Sequence, residues 1–113
     1  MIIEINSLKD IPLDKTVIIQ FYADWCEPCH KISVYYENYT KLPIFSSIIF
    51  MKNNIKNIDL AEYFKIDSLP TIIFIKNGEI YAKLEEFNPS LLSSYTVNLL
   101  SFSPIGKLPK IIP

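Results

Sequence analysis

The sequence has 113 residues, of which 50% are hydrophobic, 13% are aromatic and 20% are charged. Eleven Lys against twelve Asp and Glu leave a formal charge of −1, which excludes a strongly basic protein that binds nucleic acid through its phosphates. The apolar content is too high for a disordered chain, and the length is typical of one domain with its own core.

The longest unbroken apolar stretches include residues 48–51 and 72–75. These are far shorter than the ~20 residues that a bilayer-spanning helix needs, so we predict no membrane span. The first residues lack the basic and long apolar regions of a secretory signal peptide. We therefore expect a cytoplasmic protein, in a compartment that keeps thiols reduced.

The N-terminal half predicts two strands before a helix. Residues 2–5 form a β-branched run, and Ser7 can cap one helical turn after it. Residues 16–22 are almost all β-forming, which is typical of a central strand covered on both faces. From Pro28 onward, apolar residues recur at three- and four-residue spacing (Ile32, Tyr35, Tyr36 and Tyr39), which predicts a helix with this apolar face that ends before Leu42-Pro43.

The middle of the chain predicts two further strands, with a short helix between them. Residues 44–51 have the β-branched content of a buried strand, and a helical crossover would make it parallel to residues 16–22. Asp59 is predicted to cap a short helix through Leu60 and Phe64. Residues 71–76 then begin a new strand.

The last elements are a hairpin and a helix. Because Asn77-Gly78 accepts positive φ at both positions, residues 71–76 and 79–83 should pair as an antiparallel hairpin, and the sheet should be mixed. Asn88-Pro89 predicts the start of a final helix that covers this hairpin. We expect one domain over residues 1–101 and a proline-containing, extended tail over residues 102–113.

Two cysteines, Cys26 and Cys29, lie where the second strand should end and the long helix begin. Unpaired N–H groups and the positive end of the helix dipole stabilise a thiolate there, so we expect Cys26 to be the nucleophile. Cys29 lies one helical turn inward, close enough to form a disulfide and farther from solvent. This spacing predicts Cys29 as the resolving thiol.

Residues 26–30 also permit other interpretations. Two inert core cysteines are one, but this pattern between a strand and a helix is typical of redox centres. A structural zinc site needs four ligands, whereas Cys26, Cys29 and His30 supply three. The segment also matches the C-x-x-C-H pattern of haem attachment, against which stand the strand-rich pattern and the scarcity of methionine. We predict no metal and no bound cofactor.

Three segments carry a resemblance to the thioredoxin family: Trp25-Cys26-Glu27-Pro28-Cys29, Ser68-Leu69-Pro70-Thr71 and Phe74-Ile75-Lys76-Asn77-Gly78-Glu79. Their intervals are similar to those of the family, without a gap, over most of the chain. The resemblance implies an α/β thioredoxin fold, with a central mixed five-stranded sheet flanked by four helices. It also implies a cis bond between Leu69 and Pro70 that packs the proline against the cysteines.

The resemblance further implies a surface on which partner proteins bind. An extended substrate segment would pair with the backbone of Leu69, as a strand added to a sheet. The apolar residues expected around Cys26 are the following: Trp25, Pro28, Leu69, Pro70 and Phe87. Ordinary half-buried packing is the alternative for Trp25 and Phe87.

One departure from the family pattern concerns proton transfer. In the family, the position of Gln20 holds a buried Asp that shuttles a proton for the resolving cysteine, and the position of Met51 holds its Lys partner. Replacing both charges together avoids the cost of one unpaired buried charge. Since Gln cannot titrate, we expect slower but not absent turnover.

A second departure concerns charge around the reactive cysteine. Glu27 replaces a Gly beside Cys26, which places an anion next to the thiolate and should alter the choice of partner. His30 opposes that charge when it is protonated, or else it is a solvent-facing residue without a role. Glu86 replaces another Gly, in the loop expected to face the substrate.

These residues predict a thiol–disulfide oxidoreductase that reduces protein disulfides through Cys26 and Cys29. By resemblance, its electrons would come from a separate flavin- and NADPH-dependent dithiol reductase. Two alternatives remain. One is a thioredoxin-fold interaction module without catalysis, and the other is a more oxidising disulfide oxidase or isomerase.

Overall fold

Five strands form one mixed sheet in the computed structural model, which describes residues 1–103. The strands are β1 (Ile2–Glu4), β2 (Thr16–Tyr22), β3 (Ile48–Asn54), β4 (Thr71–Lys76) and β5 (Glu79–Leu84). Their order is β1-β3-β2-β4-β5, with β1, β3 and β2 parallel and with β4 antiparallel to both β2 and β5. The predicted mixed five-stranded sheet is confirmed. The extended conformation predicted for the tail falls almost entirely outside the described residues.

Three α-helices flank the sheet: α1 (Glu27–Tyr39), α2 (Ile58–Tyr63) and α3 (Pro89–Ser101). The first of the four helices that the resemblance implies is a single 3-10 turn over Leu8–Asp10. Ser7 caps this turn as predicted, because its Oγ accepts a hydrogen bond of 3.2 Å from the backbone N–H of Lys9. Within residues 1–103 the count of α-helices is therefore three rather than four.

The predicted bounds of β3 were wrong at both ends. Residues 44–51 were expected, but the strand spans Ile48–Asn54. Pro43 has a fixed φ and begins a 3-10 turn over Pro43–Phe45, which keeps that segment out of the sheet. At the other end, Tyr22 of β2 pairs with Asn54, so the parallel ladder continues through polar residues.

The predicted cap of α2 was also wrong. Asn57 is the N-cap residue, and Asp59 lies inside the first turn of the helix. There the Asp59 carboxylate faces the positive end of the helix dipole, which is a favourable place for an anion. Asp59 thus correctly indicated that a helix begins here, but the N-cap residue of α2 lies two positions earlier in the chain.

The β4–β5 hairpin confirms the prediction made from its turn. Asn77 and Gly78 have φ values of 50° and 79°, both in the left-handed region. Leu92 and Leu99 of α3 pack into the same apolar cluster as Phe74, so this helix covers the hairpin as expected. Asn88 caps α3 by accepting a hydrogen bond of 3.0 Å from the N–H of Leu91.

Alternation along β2 divides the core into two clusters. Val17, Ile19 and Phe21 face a cluster that includes residues of α2. Ile18 faces the opposite cluster, which contains residues of α1 and α3. Since side chains alternate along a strand, Gln20 shares the α1 side of the sheet with Ile18.

Tyr36 of α1 forms hydrogen bonds to β2 and β3. It is fully buried, and its hydroxyl lies 2.9 Å from the carbonyl oxygen of Ile18 and 2.7 Å from that of Met51. We expect Tyr36→Phe to lower the free energy of unfolding by about 1–2 kcal/mol, because this buried hydrogen bonding is lost. Urea denaturation measures the change, with Tyr35→Phe, at the exposed neighbour, as a control that should change little.

Burial raises the pKa of Tyr36 well above its usual value. The hydroxyl therefore keeps its proton in the folded state while the unfolded chain begins to ionise above about pH 10. Stability associated with Tyr36 is present below that pH and falls as the pH rises further. A Tyr36→Phe variant as stable as the wild type at neutral pH would contradict this assignment.

Candidate active site

Cys26 is the N-cap residue of α1, as the sequence predicted. Its Sγ accepts a hydrogen bond of 3.2 Å from the backbone N–H of Cys29. Pro28 lies in the first turn, where its missing N–H costs no hydrogen bond and its fixed φ suits the helix. The sulfur of Cys26 thus lies among the unpaired N–H groups of a helix start, the position that stabilises a thiolate.

Cys26 and Cys29 form a disulfide, with their Cα atoms 5.3 Å apart. Cys29 is only 1% exposed and Cys26 is 3% exposed, so in this oxidised state both sulfurs lie close beneath the surface. Leu69 packs against the small cluster that the two cysteines form with Ala23. A two-electron dithiol–disulfide couple is therefore in place at the end of β2.

The segment before β4 lies against the two cysteines. The peptide bond between Leu69 and Pro70 is cis, as the resemblance implied. Pro70 is buried, and Leu69 is partly buried against the cysteine cluster. The hydroxyl of Thr71 donates a hydrogen bond of 2.7 Å to the carbonyl oxygen of Ser68 and closes the turn. The direct packing of Pro70 on the cysteines stays a prediction.

Trp25 opens onto an apolar groove. Its side chain is 78% exposed, so the half-buried alternative does not describe it. The groove has a volume of about 510 Å³. Its apolar lining consists of Trp25, Ile55, Ile58, Ala61, Ile66 and Leu69. The sequence predicted Trp25 and Leu69 as part of this surface. It did not indicate the other four residues, which belong to α2 and its flanking segments, because apolar residues in and near a helix are equally typical of the core.

Phe87 does not line that groove. Its ring lies 6.5 Å from the ring of Tyr35 on α1, in an edge-to-face arrangement, and both side chains are 42% exposed. Pro28 is exposed on the first turn of the same helix. The predicted apolar surface therefore has two separate parts, one at Trp25 and Leu69 and one at Phe87. Tyr35 was missed because the helical spacing assigned it to the core.

Gln20 contacts the turn of α1 that carries Cys29, the predicted resolving cysteine. It is 2% exposed, and its Nε2 donates to Ser33 Oγ at 2.8 Å and to the carbonyl oxygen of Cys29 at 3.4 Å. Ser33 Oγ also donates to that carbonyl at 2.8 Å. Gln20 thus holds the turn of α1 that carries Cys29, through groups that do not titrate.

The predicted pairing of Gln20 with Met51 is corrected by the structure. Met51 is buried in the α2-side cluster, on the opposite face of the sheet from Gln20. The residue that pairs with Gln20 in the parallel register is Lys52. Gln20 and Lys52 line one cavity of about 320 Å³ that also includes His30. The comparison with the family without gaps selected Met51 by its position in the chain. The face of the sheet on which a side chain lies depends instead on the register of the strands.

Polar contacts hold the loop that precedes Cys26. Asn54 Nδ2 donates to Asp24 Oδ1 at 3.3 Å, and the backbone N–H of Asn54 donates to Glu4 Oε2 at 3.1 Å. The hydroxyl of Tyr22 donates to Glu4 Oε1 at 2.7 Å. Burial, followed by this hydrogen bond to Glu4, raises the pKa of Tyr22 to about 12. The network connects edge strand β1 to the active-site loop.

Glu27 and His30 lie on the exposed side of the first turn of α1. Among residues 1–103, Glu27 forms no ion pair. The ring Nε2 of His30 lies 2.8 Å from the carbonyl oxygen of Asp24, so this side chain also contacts the loop before Cys26. The opposition between His30 and the charge of Glu27 stays a prediction.

The part of the chain that the structure describes contains no group of three or more His, Cys, Asp or Glu residues placed to hold a metal ion. None of its helices has both the length and the apolar character that crossing a bilayer requires.

Comparison with known proteins identifies the family. The sequence profile of the Thioredoxin family matches residues 6–96, which is most of the chain. The chain belongs to the thioredoxin family. Among related sequences, thioredoxin H4 of Arabidopsis thaliana is 34% identical over 99 residues, 81% of this chain and 82% of the relative. Thioredoxin-1 of Saccharomyces cerevisiae is 31% identical over 83 residues, 73% of this chain and 79% of the relative.

Solved thioredoxin structures share the fold. The thioredoxin of Malassezia sympodialis superposes with a TM-score of 0.80 at 28% identity, covering 87% of this chain and 90% of the other. The oxidised thioredoxin of Plasmodium falciparum has a TM-score of 0.76 at 27% identity, covering 87% and 97%. Thioredoxins carry no cofactor, because the redox-active disulfide is part of the chain. The family and the disulfide together support a thiol–disulfide oxidoreductase in the general sense.

Proposed function

We propose that this protein reduces disulfides in other proteins, with Cys26 as the attacking and Cys29 as the resolving thiol. The observation that carries the proposal is the Cys26–Cys29 disulfide at the start of α1, next to the exposed Trp25 and its apolar groove. The groove offers a substrate chain an apolar surface beside the sulfur that reacts first. We extend the proposal to binding by Trp25, Pro28, Leu69, Pro70 and Phe87.

The reaction balances in two exchange steps. The thiolate of Cys26 attacks one sulfur of the substrate disulfide, which forms a mixed disulfide and releases one substrate thiolate. Cys29 then loses its proton and attacks the Cys26 sulfur, which restores the Cys26–Cys29 disulfide and releases the second substrate thiolate. The substrate gains two electrons, the protein loses two, and the released thiolates take up protons from water.

A separate dithiol reductase must return the disulfide to the dithiol form. Thioredoxins act on disulfide-containing proteins and are reduced by thioredoxin reductase. We propose a flavin- and NADPH-dependent reductase of that kind as the electron donor. The cytosol suits this direction of electron flow, because its thiol pool is kept reduced.

A non-catalytic interaction module is the second candidate, and Gln20 is the observation that favours it. The side chain beneath Cys29 cannot accept a proton, so one step of exchange lacks a fixed acid–base partner. A module of this kind would use the same groove to bind a partner without turning over its disulfide.

Two measurements test the proposal. We expect catalytic amounts of the protein to accelerate the reduction of insulin by dithiothreitol, seen as precipitation of the insulin chains. We also expect a midpoint potential near or below about −230 mV, on the reducing side of the scale for this fold. No acceleration would favour the interaction module, and a potential near about −120 to −180 mV would favour an oxidase or isomerase.

A further inference from the structure

Two segments lie side by side at the edge of the Trp25 groove. One, residues 23–25, leads into the cysteine pair, and the other, residues 54–56, ends β3 and continues beyond it. Together they line a cavity of about 220 Å³. Trp25 and Ile55 line this cavity and also the larger groove, and Ile55 packs against the cysteine cluster. The placement of one segment against the other therefore determines the shape of the groove beside the disulfide.

Asn54 joins the two segments through its side chain. It is 7% exposed, and its Oδ1 accepts a hydrogen bond of 3.1 Å from the backbone N–H of Lys56. That contact fixes the orientation of the amide, because an amide NH₂ group cannot accept from an N–H, and it directs Nδ2 to Asp24 Oδ1 at 3.3 Å. The backbone N–H of Asn54 donates to Glu4 Oε2 at 3.1 Å, so β1 holds this residue as well.

Asp24 is also held by α1. Its carbonyl oxygen lies 2.8 Å from Nε2 of His30. The residue before Trp25 is therefore attached to α1 through its backbone and to β3 through its side chain. Loss of the contact with Asn54 would separate this loop from β3 and leave the contact with His30 in place.

We propose that Asn54 is a positioning residue for substrate binding, which holds Trp25 beside Ile55 in the arrangement that a substrate chain contacts. Binding is less costly when the surface is ordered beforehand, because the substrate does not have to order the loop and its side chains. The inference rests on the proposed function and concerns substrates large enough to contact the groove. A small disulfide that reacts only with the cysteines gains nothing from this order.

The test exchanges the donor and the acceptor of the contact between Asn54 and Asp24. Asn54→Asp keeps an oxygen that can accept from Lys56, but it places two carboxylates against each other, so residues 23–25 should separate from β3. The addition of Asp24→Asn to this variant restores a donor opposite the acceptor. Asp24→Ala is a second single variant. Because Asp24 is exposed, this change removes the acceptor without burying a charge, and it decides the test if Asn54→Asp does not fold.

The first measurement compares a protein substrate with a small one. We determine the second-order rate constant with which the pre-reduced protein reduces insulin and divide it by that for hydroxyethyl disulfide, which is neutral and too small to extend along the groove. Asn54→Asp and Asp24→Ala should each lower this ratio about fivefold, and the double variant should return it to within about twofold of the wild type.

Asn38→Asp is the matched control for added charge. Asn38 is exposed and lies at the opposite end of α1 from Cys26. This variant should leave the ratio of the two rate constants unchanged. A role of Asn54 confined to stability would lower the urea midpoint of Asn54→Asp and would not change the ratio.

The second measurement does not depend on activity. Trp25 is the single tryptophan of the chain, so time-resolved fluorescence anisotropy reports the motion of this loop. The amplitude of the nanosecond component should rise about twofold in the two single variants, because loops move on this timescale when they are released. In the double variant it should return to the wild-type value.

Each outcome separates this inference from the function on which it rests. A ratio that neither single variant changes, or a double variant with the same ratio as Asn54→Asp, would overturn the role of Asn54 alone. An anisotropy that neither single variant changes would do the same. Failure of the wild type to reduce insulin would overturn the proposed function, and this inference with it.

Discussion

A Cys29→Ser variant should accumulate covalent mixed disulfides through Cys26 and lose at least about a hundredfold in turnover with insulin. Cys26 can still attack a substrate disulfide, but the serine hydroxyl cannot displace the substrate from the Cys26 sulfur. Cys29 is buried and its carbonyl oxygen accepts hydrogen bonds from Gln20 and Ser33, so the position of the resolving thiol is ordered before any substrate arrives. Non-reducing electrophoresis and intact-mass measurement detect the adducts.

The matched control is Cys26→Ser. If Cys26 is the first nucleophile, this variant retains Cys29 but forms no comparable adduct, because only Cys26 is the N-cap residue of α1, where the helix start stabilises a thiolate. Both variants lose the same disulfide, so any shared loss of stability cancels in the comparison. Equal adduct yields from the two variants, or none from Cys29→Ser, would contradict the assigned order of attack.

A Gln20→Asp variant should resolve its mixed disulfide about tenfold faster or more at neutral pH, because it introduces a general acid–base group beneath Cys29. Gln20 shares its cavity with Lys52, which gives the new carboxyl a cation nearby and a route for protons to solvent. Single-turnover kinetics of the resolution step measure the effect. The rate should depend on pH across the range in which the new carboxyl titrates.

Gln20→Asn is the control for this substitution, since it shortens the side chain in the same way without adding charge. Burial raises the pKa of an introduced carboxyl, so the folded state holds the proton more tightly than the unfolded chain does. The Asp variant should therefore be most stable, relative to the Asn variant, below about pH 4, and lose that advantage as the pH rises through the raised pKa. Equal resolution rates for the two variants at pH 7 would contradict the hypothesis that resolution is slow because Gln20 cannot exchange a proton with Cys29.

Local signals predicted the elements whose bounds depend on neighbours in the sequence. The predicted bounds of β2 and β4 agree with the structure, because each is a continuous β-forming run. The turn at Asn77-Gly78 and the N-cap of α3 at Asn88 also agree. In each case a particular residue type has a conformational or hydrogen-bonding reason to occupy its position.

Predictions failed where the outcome depends on residues distant in the chain. The strand β3 extends through polar residues because Tyr22 pairs with Asn54, and because Asn53 Nδ2 donates to the carbonyl oxygen of Ile5 at 2.8 Å. Neither contact has a local signature. The exposed Tyr35 was assigned to the core for the same reason, since its contact with Phe87 joins α1 to the loop before α3.

The order of residues by itself determined the cysteine pair at the start of a helix, the type of each principal element and the membership of a family. Tertiary structure decided which side chains contact the turn of α1 that carries Cys29 and which surround the site. Met51 and Lys52 are neighbours in the chain, yet only Lys52 shares a cavity with Gln20. The physical reason is that a strand alternates its faces at every residue, so the pairing of distant strands, and not the local sequence, assigns each side chain to the core or to the site.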